Sequence, residues 1–377
     1  MRPESDLRAR AVWRWKPGLA TLAATLFWSI GQLDAQSRAD RRLQERIDEA
    51  NRREAEALVE IADDAMAGKI AAADFAIAWR HDFLKAQPGT FVPFTVTIDR
   101  TKLEAAQALM YVRAVRRAET RGVRTASERK GAEDRYAFDA VFPVELAGSA
   151  DVLRVSRGFA LAPGDYDVYV AVRERPADPL SRPGRLKAAV LTQALAVPDY
   201  WTGELATSTL MLATRIDVLP QAPGPDDAME RPYVIGQNDV HLAEDATFRK
   251  GRDREVIVVF VVYNPMVAPD RHFDVQVDYH LFHRARPGSA GTSVVPPAGA
   301  PPARDGERYV TRTDPQRFNP GVLGPRVDPA AGHPLMAGQG IPLSSFAEGE
   351  YRLGITVTDL LSRKTLVRDV TFTVAGS

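Results

Sequence analysis

Two stretches of this chain, 185 positions apart, read as the same piece of structure. The first is Leu161-Ala162-Pro163-Gly164-Asp165-Tyr166-Asp167-Val168-Tyr169-Val170-Ala171-Val172; the second is Phe346-Ala347-Glu348-Gly349-Glu350-Tyr351-Arg352-Leu353-Gly354-Ile355-Thr356-Val357. Each opens on a turn made of Gly and an acid, passes through a Tyr, and continues as a strand with apolar residues at every second position. A pattern that returns at this distance describes one β-domain built twice, so duplication sets the architecture before any other feature is considered. The repeat speaks for fold and says little about chemistry.

Tyr166 is in phase with Val168, Val170 and Val172, and Tyr351 with Leu353, Ile355 and Val357, so both rings are expected to point into a sandwich. A buried Tyr at a strand entrance, two positions before the site that holds Cys in immunoglobulin domains, resembles the tyrosine corner of that fold. The ring packs, and the hydroxyl returns to the backbone and fixes the crossover between sheets. Val168 and Leu353 stand at the Cys positions, so apolar packing replaces any disulfide. Gly164 and Gly349 supply the turns. The plainer reading of the same run is the start of a hairpin.

The length of 377 residues and 45% hydrophobic content suffice for two modest cores. The 49 basic and 49 acidic residues cancel, which leaves no electrostatic footprint for nucleic acid or an anionic membrane. There is no Cys, so thiol nucleophiles, thiolate metal sites and a lipid-bearing Cys are all excluded. At the N-terminus, Arg8, Arg10, Arg14 and Lys16 precede an apolar run from Leu19 to Ile30, followed by Leu33-Asp34-Ala35-Gln36. That order is the n-region, h-region and small-residue site of a secretory signal, with cleavage expected after Ala35 or Gln36. The run is short of the roughly 20 residues that span a bilayer. An uncleaved signal anchor is the alternative.

The expected organisation is mainly β: a signal peptide over 1–36, a short helical segment over 37–87, and tandem Ig-like β-sandwiches over 88–199 and 200–377. In the helical segment Leu43, Ile47, Ala50, Ala57, Ile61 and Ala65 form an apolar stripe between charges, Gly68 ends the helix, and a second short helix covers Ala71 to Phe83. The stripe is expected to dock on the first sandwich. Pro88-Gly89 marks the switch to strands, placed at Phe91–Ile98, Ala108–Val115, Tyr136–Leu146, Tyr166–Val172 and Leu186–Val197. In the second half, Glu255 to Tyr263 is so apolar that it must be a central strand buried on both faces. Strands at Phe273–Phe282, Tyr309–Thr313, Tyr351–Val357 and Thr365–Val374 complete the sandwich. The Pro-rich stretch Gly288–Gly306 reads as a mobile loop without packing residues.

The runs Val259-Phe260-Val261-Val262-Tyr263-Asn264, Gly349 to Leu353, Val357-Thr358-Asp359 and Phe372-Thr373-Val374 resemble the β-sandwich tails of exported bacterial proteins with von Willebrand factor A-related or GWxTD-type domains. The resemblance covers Leu205 to Val374, with a weaker echo from Phe91 to Val197. It implies an export address and an Ig-like tail. The Gly-Trp-x-Thr-Asp run and the Asp-x-Ser-x-Ser adhesion motif are both missing, so no active site is implied.

Catalytic signatures are missing as well: there is no His-Glu-x-x-His, Gly-x-Ser-x-Gly, Walker loop or dinucleotide fingerprint. The best constellation for a divalent ion is His272, Asp274, Asp278 and His280, which alternation puts on one face of a strand. Positions two apart on a strand lie roughly 7 Å apart, so these ligands splay unless a neighbouring strand helps, and a solvated polar face is the plainer account. Asp239, Glu244 and Asp245 beside the turn at Gly236-Gln237-Asn238 form a weaker calcium candidate, set against an ordinary acidic turn. Tyr200-Trp201 is a candidate binding pair for a sugar or partner, set against a plug in the interdomain crease.

These features point to an exported, secreted or periplasmic, non-enzymatic protein without cofactor. Its expected partner is a protein or surface polymer, not nucleic acid, and it has no integral membrane span after signal cleavage. The contact surfaces expected are the Gly288–Gly306 loop, the Arg175–Arg185 loop and Tyr200-Trp201. A carbohydrate-binding module and a secreted hydrolase with a carboxylate pair formed only in three dimensions are the alternatives.

Overall fold

The computed structural model describes residues 30–376 apart from 70, 88, 118–135, 149, 177, 179, 182–183, 225–226, 285–293 and 325, with side chains from residue 43 onward. The basic n-region and most of the apolar run of the expected signal lie outside the described residues. So do 288–293 of the Pro-rich loop and four positions of the Arg175–Arg185 loop. The protein is mainly β. It forms two compact units that interleave in sequence: one within 30–78, 97–154 and 166–195, the other within 79–96, 155–165 and 196–376.

The first unit holds one long helix, α1 (Ile30–Met66), and a sheet in the order β5 (Phe138–Glu145), β4 (Gln107–Arg116), β7 (Gly164–Arg175), β8 (Ala188–Val197). Helix α1 ends where Gly68 takes φ +70°, a left-handed conformation that a side chain resists. The docked stripe is centred on Leu58 and Ala62, which pack on Tyr111 and Val115 of β4 and on Tyr169 and Ala171 of β7. Leu43, expected in that stripe, is 47% exposed. Polar ties also fasten the helix. Arg113, buried in β4, pairs with Asp63, while Arg175 bonds Asn51 and pairs with Glu54 at 3.1 Å.

The second short helix expected over Ala71–Phe83 is not formed. Ile77–His81 is strand β1 and Leu84–Lys85 is strand β2. Phe75, Ile77 and Trp79 alternate at the strand period, and aromatic and β-branched side chains fit a pleated surface better than a helix turn. These strands flank β3 (Thr90–Asp99), with β6 (Val152–Leu161) on it as well. Trp79 stacks on Phe94 with centroids 4.4 Å apart, and Phe159 lies 5.5 Å from Phe94. Strand β6 was not expected from the sequence, because Arg154, Ser156, Arg157 and Gly158 break its apolar pattern. Gly158 is required there: a Cβ would come within 2.3 Å of the Phe91 ring.

Within the second unit two sheets face each other across a core. One runs β11 (Val234–Ile235), β12 (Asn238–Leu242), β10 (Met211–Val218), β14 (Glu255–Tyr263), β18 (Leu335–Pro342), with β9 (Ala206–Thr207) also on β14. The other runs β13 (Thr247–Arg249), β20 (Thr365–Ala375), β19 (Gly349–Asp359), β15 (Val275–Arg284), β16 (Glu307–Arg312), with β17 (Gln316–Phe318) on β15. Val256, Val258, Phe260 and Val262 meet Val275, Val277, Tyr279, Leu353 and Ile355 in the sandwich interior. The opposite face of β14, Ile257, Val259, Val261 and Tyr263, packs in a second core with Leu84, Tyr200, Met211 and Tyr233. As the sequence predicts, β14 is buried on both faces.

Strand β18 escapes a sequence reading because Gly338, Gly340 and Pro342 dilute it. Gly340 leaves room for the Glu255 carboxylate, whose Oε2 would lie 2.4 Å from a Cβ. At the free edge of β18 the Gln316 amide stands in for a neighbouring strand. Its Nε2 donates to Gly338 O at 2.5 Å and its Oε1 accepts from Gly338 N at 3.4 Å.

The Pro-rich segment also departs from expectation. Its described part is anchored on β19, because Pro301 is buried and Arg352 Nη2 donates to Pro302 O at 3.0 Å. Gly354 makes the space: a Cβ there would meet Pro301 Cγ at 3.2 Å and the Phe282 ring at 3.3 Å. Arg352 is itself buried, forked on Glu307 (2.6 and 2.9 Å) with its guanidinium 4.0 Å from the Phe282 ring centre.

Candidate functional site

The repeat positions are the place to begin. Gly164 and Gly349 both have φ +143°, a conformation that L side chains rarely adopt. A Cβ on Gly349 would also strike His283 Nε2 at 2.4 Å. Tyr166 and Tyr351 are buried two residues later in the same strands, and the Tyr351 hydroxyl donates to the Ala347 carbonyl at 2.9 Å. The equivalence runs two residues beyond the stretches recognised in sequence, to Glu174 and Asp359. Both are buried carboxylates at strand ends, and both clamp loop backbone. Glu174 accepts from the N–H groups of Glu104, Ala105 and Lys187. Asp359 accepts from those of Met266, Leu361 and Ser362. Burial opposes ionisation of Glu174, yet its three backbone donors hold the carboxyl below its ordinary range. These acids are structural clamps, legible only once the repeat is aligned past Val172 and Val357.

The four metal candidates on and before β15 do not converge. His272 and Asp274 precede the strand, and Asp274 is taken by Arg317 through two bonds of 2.8 and 2.5 Å. Asp278 accepts from Gln276 at 2.9 Å. His280 is buried against Tyr309, and burial pushes its imidazole pKa down. The solvated face expected here is therefore largely covered. Asp239 pairs with Arg231 at 2.7 Å, and Asp245 caps the Thr247 N–H at 2.8 Å, so the calcium candidates are also spread apart. Among the described residues no group of three or more His, Asp or Glu is placed to hold a metal ion.

Tyr200 and Trp201, adjacent in sequence, go opposite ways within the second unit. Tyr200 is buried, its ring 5.0 Å from Tyr263. Trp201 is 49% exposed and stands at the edge of a cleft of about 550 Å³. The indole is not loose: its Nε1–H points between the carbonyls of Ala86 and Gly89, each at 3.0 Å. Strand β2 delivers Lys85 beside it, with the ammonium 4.2 Å from the ring centroid. The Lys85 backbone N–H donates to the Tyr263 hydroxyl at 3.0 Å, and its Nζ to Asn264 Oδ1 at 2.6 Å.

Asn264 sits at φ +55°, a left-handed position that Asn tolerates. Its Nδ2 donates to the carbonyls of Tyr200 and Glu204 at 3.0 and 2.8 Å, which fixes the amide with its oxygen toward Lys85. Burial pushes the Lys85 pKa down, against a raising contribution from Asp199. The far wall is a 3-10 turn, Pro329–Ala331, capped by Asp328. Sequence reading found Trp201 but not Lys85, which was assigned to the end of a helical segment, nor Asn264, whose role depends on two carbonyls remote in sequence.

No protein-family profile and no curated protein matches the sequence. Two crystal structures of alpha-2-macroglobulin from Salmonella, one of a point mutant and one reacted with methylamine, are 12% and 13% identical to it, with TM-scores of 0.20 and 0.19. Each match covers 81% of this chain and 17% of the macroglobulin. A likeness at that TM-score carries no argument about fold or function.

Proposed function

We propose that this is an exported protein that acts by binding rather than by turnover, and that the cleft beside Trp201 is where it holds its ligand. The observation that supports this reading is the cleft itself. Its size falls in the range of sites for small ligands and side chains, roughly 300–1,000 Å³. Its walls combine apolar surface with a few fixed polar groups. An indole held by two carbonyls presents one face without further ordering, which lowers the entropic cost of binding. Export rests on the basic n-region and apolar run before Ala35, and a protein or surface polymer is the natural partner there.

The test is Trp201→Ala in the mature protein. Ligand-induced shifts of the Asn264 side-chain amide should be lost, at a cost in stability of about 1–2 kcal/mol from the indole's lost hydrogen bonds to Ala86 and Gly89. Turnover of a glycoside or ester by the purified protein, abolished by one Asp or Glu substitution, would overturn the reading in favour of a hydrolase.

A further inference from the structure

Lys85 is the group in the cleft that remains least satisfied. Its ammonium has three donors. One is committed to Asn264 Oδ1 and the indole face lies against the charge, which leaves donor capacity unused. Among the described residues no carboxylate forms an ion pair with it, and Asp199 acts only from a distance. The second cation on the cleft, Arg231, is already paired with Asp239. The lining therefore presents a partly desolvated positive charge, no negative one, and apolar walls that include Leu84, Tyr263 and Pro334.

We infer that the cleft recognises an organic carboxylate with an apolar body, the anion seated on Lys85 and the body against the Trp201 indole. A neutral sugar would use the indole but leave the ammonium without its ion. A cationic ligand would be repelled by it. The chemistry favours the anion because a charge-assisted N–H···O⁻ bond formed away from bulk water is worth more than a neutral one. The fixed amide of Asn264 holds the ammonium in place, so little side-chain freedom is lost on binding. This inference rests on the cleft being a ligand site, and the experiment separates the two.

The mature full chain, labelled with ¹⁵N at the indole nitrogens, is titrated with 1-naphthaleneacetate and, separately, with its neutral amide, 1-naphthaleneacetamide. Trp201→Phe identifies the Trp201 signal. Saturable shift of that signal is expected with the carboxylate, at an affinity about tenfold or more above that of the amide, as one charged hydrogen bond warrants. Lys85→Met should bring the affinity for the carboxylate down to that for the amide in the same variant. Equal binding of both probes to wild type would overturn carboxylate recognition while leaving the cleft as a binding site. If neither probe moves the Trp201 signal, the site and the inference fall together. The comparison of acid with amide needs no variant, so it decides the matter even if Lys85→Met does not fold.

Discussion

Tyr351 closes its corner with one hydrogen bond from a ring that packs on Phe346, Phe372 and His283. Tyr351→Phe keeps the ring and leaves the Ala347 carbonyl without that donor, so it should cost on the order of 1 kcal/mol. An unchanged urea midpoint would show that the hydroxyl contributes nothing. Asp82 is a different case. It is buried, accepts from the Tyr233 hydroxyl at 3.2 Å, and burial pushes its carboxyl up to about 6 despite the opposing charge of Arg80. A carboxyl whose pKa is raised on folding contributes stability that is complete below its unfolded pKa, near 4, and lost as pH rises through about 6. Asp82→Asn keeps an acceptor for Tyr233 and cannot ionise. At pH 7.5 it should therefore be more stable than wild type, by up to about 3 kcal/mol, and nearly equal to it at pH 4. His81 and His280, whose pKa values burial pushes down, oppose this trend in both proteins and cancel in the difference between variant and wild type. A difference independent of pH would mean that folding does not raise the Asp82 pKa.

At the scale of elements, the duplicated strands β7 and β19 agree on one face and diverge on the other. The shared face keeps a Tyr, three aliphatic residues and a terminal acid. On the other face Asp167, Tyr169 and Ala171 stand opposite Arg352, Gly354 and Thr356. In the first unit that face is covered by α1, which needs Tyr169 and Ala171 as its floor. In β19 it is covered by Pro301 and the Arg352–Glu307 pair, which need the bare backbone of Gly354. The strands of the repeat were legible because alternation survives in single stretches of sequence, and the double burial of β14 because its apolar run is unbroken. Strands β6 and β18 were not, because Gly158 and Gly340, which break their apolar patterns, face side chains from elsewhere, Phe91 and Glu255. The cleft was half legible: an exposed Trp can be suspected from sequence, whereas the ammonium beside it depends on a two-residue strand. The same argument overturns the Pro-rich segment as an inert spacer. Deleting 294–303 removes Pro301 and Pro302 and uncovers a buried Arg–Glu pair, so it should destabilise the second unit by on the order of 2 kcal/mol. Retention of the wild-type midpoint would return the segment to the role of spacer.

For the whole molecule, the open question is what α1 begins as. Among the described side chains, the ties that fasten it to the first unit lie at or beyond Asn51, and its buried contacts centre on Leu58 and Ala62. No helix among the described residues is long and apolar enough to cross a membrane. A signal cleaved after Ala35 or Gln36 would thus remove nearly two turns of the described α1 without touching a single described docking contact. Processing and folding are then independent. Protein recovered after export should start at Gln36 or Ser37 by intact mass, and the 37–377 chain should melt at the same midpoint as the full chain. Retention of residues 1–35 on exported protein would instead make the apolar run from Leu19 to Ile30 part of an anchor. In that case ligand capture would take place at the envelope surface rather than in free solution.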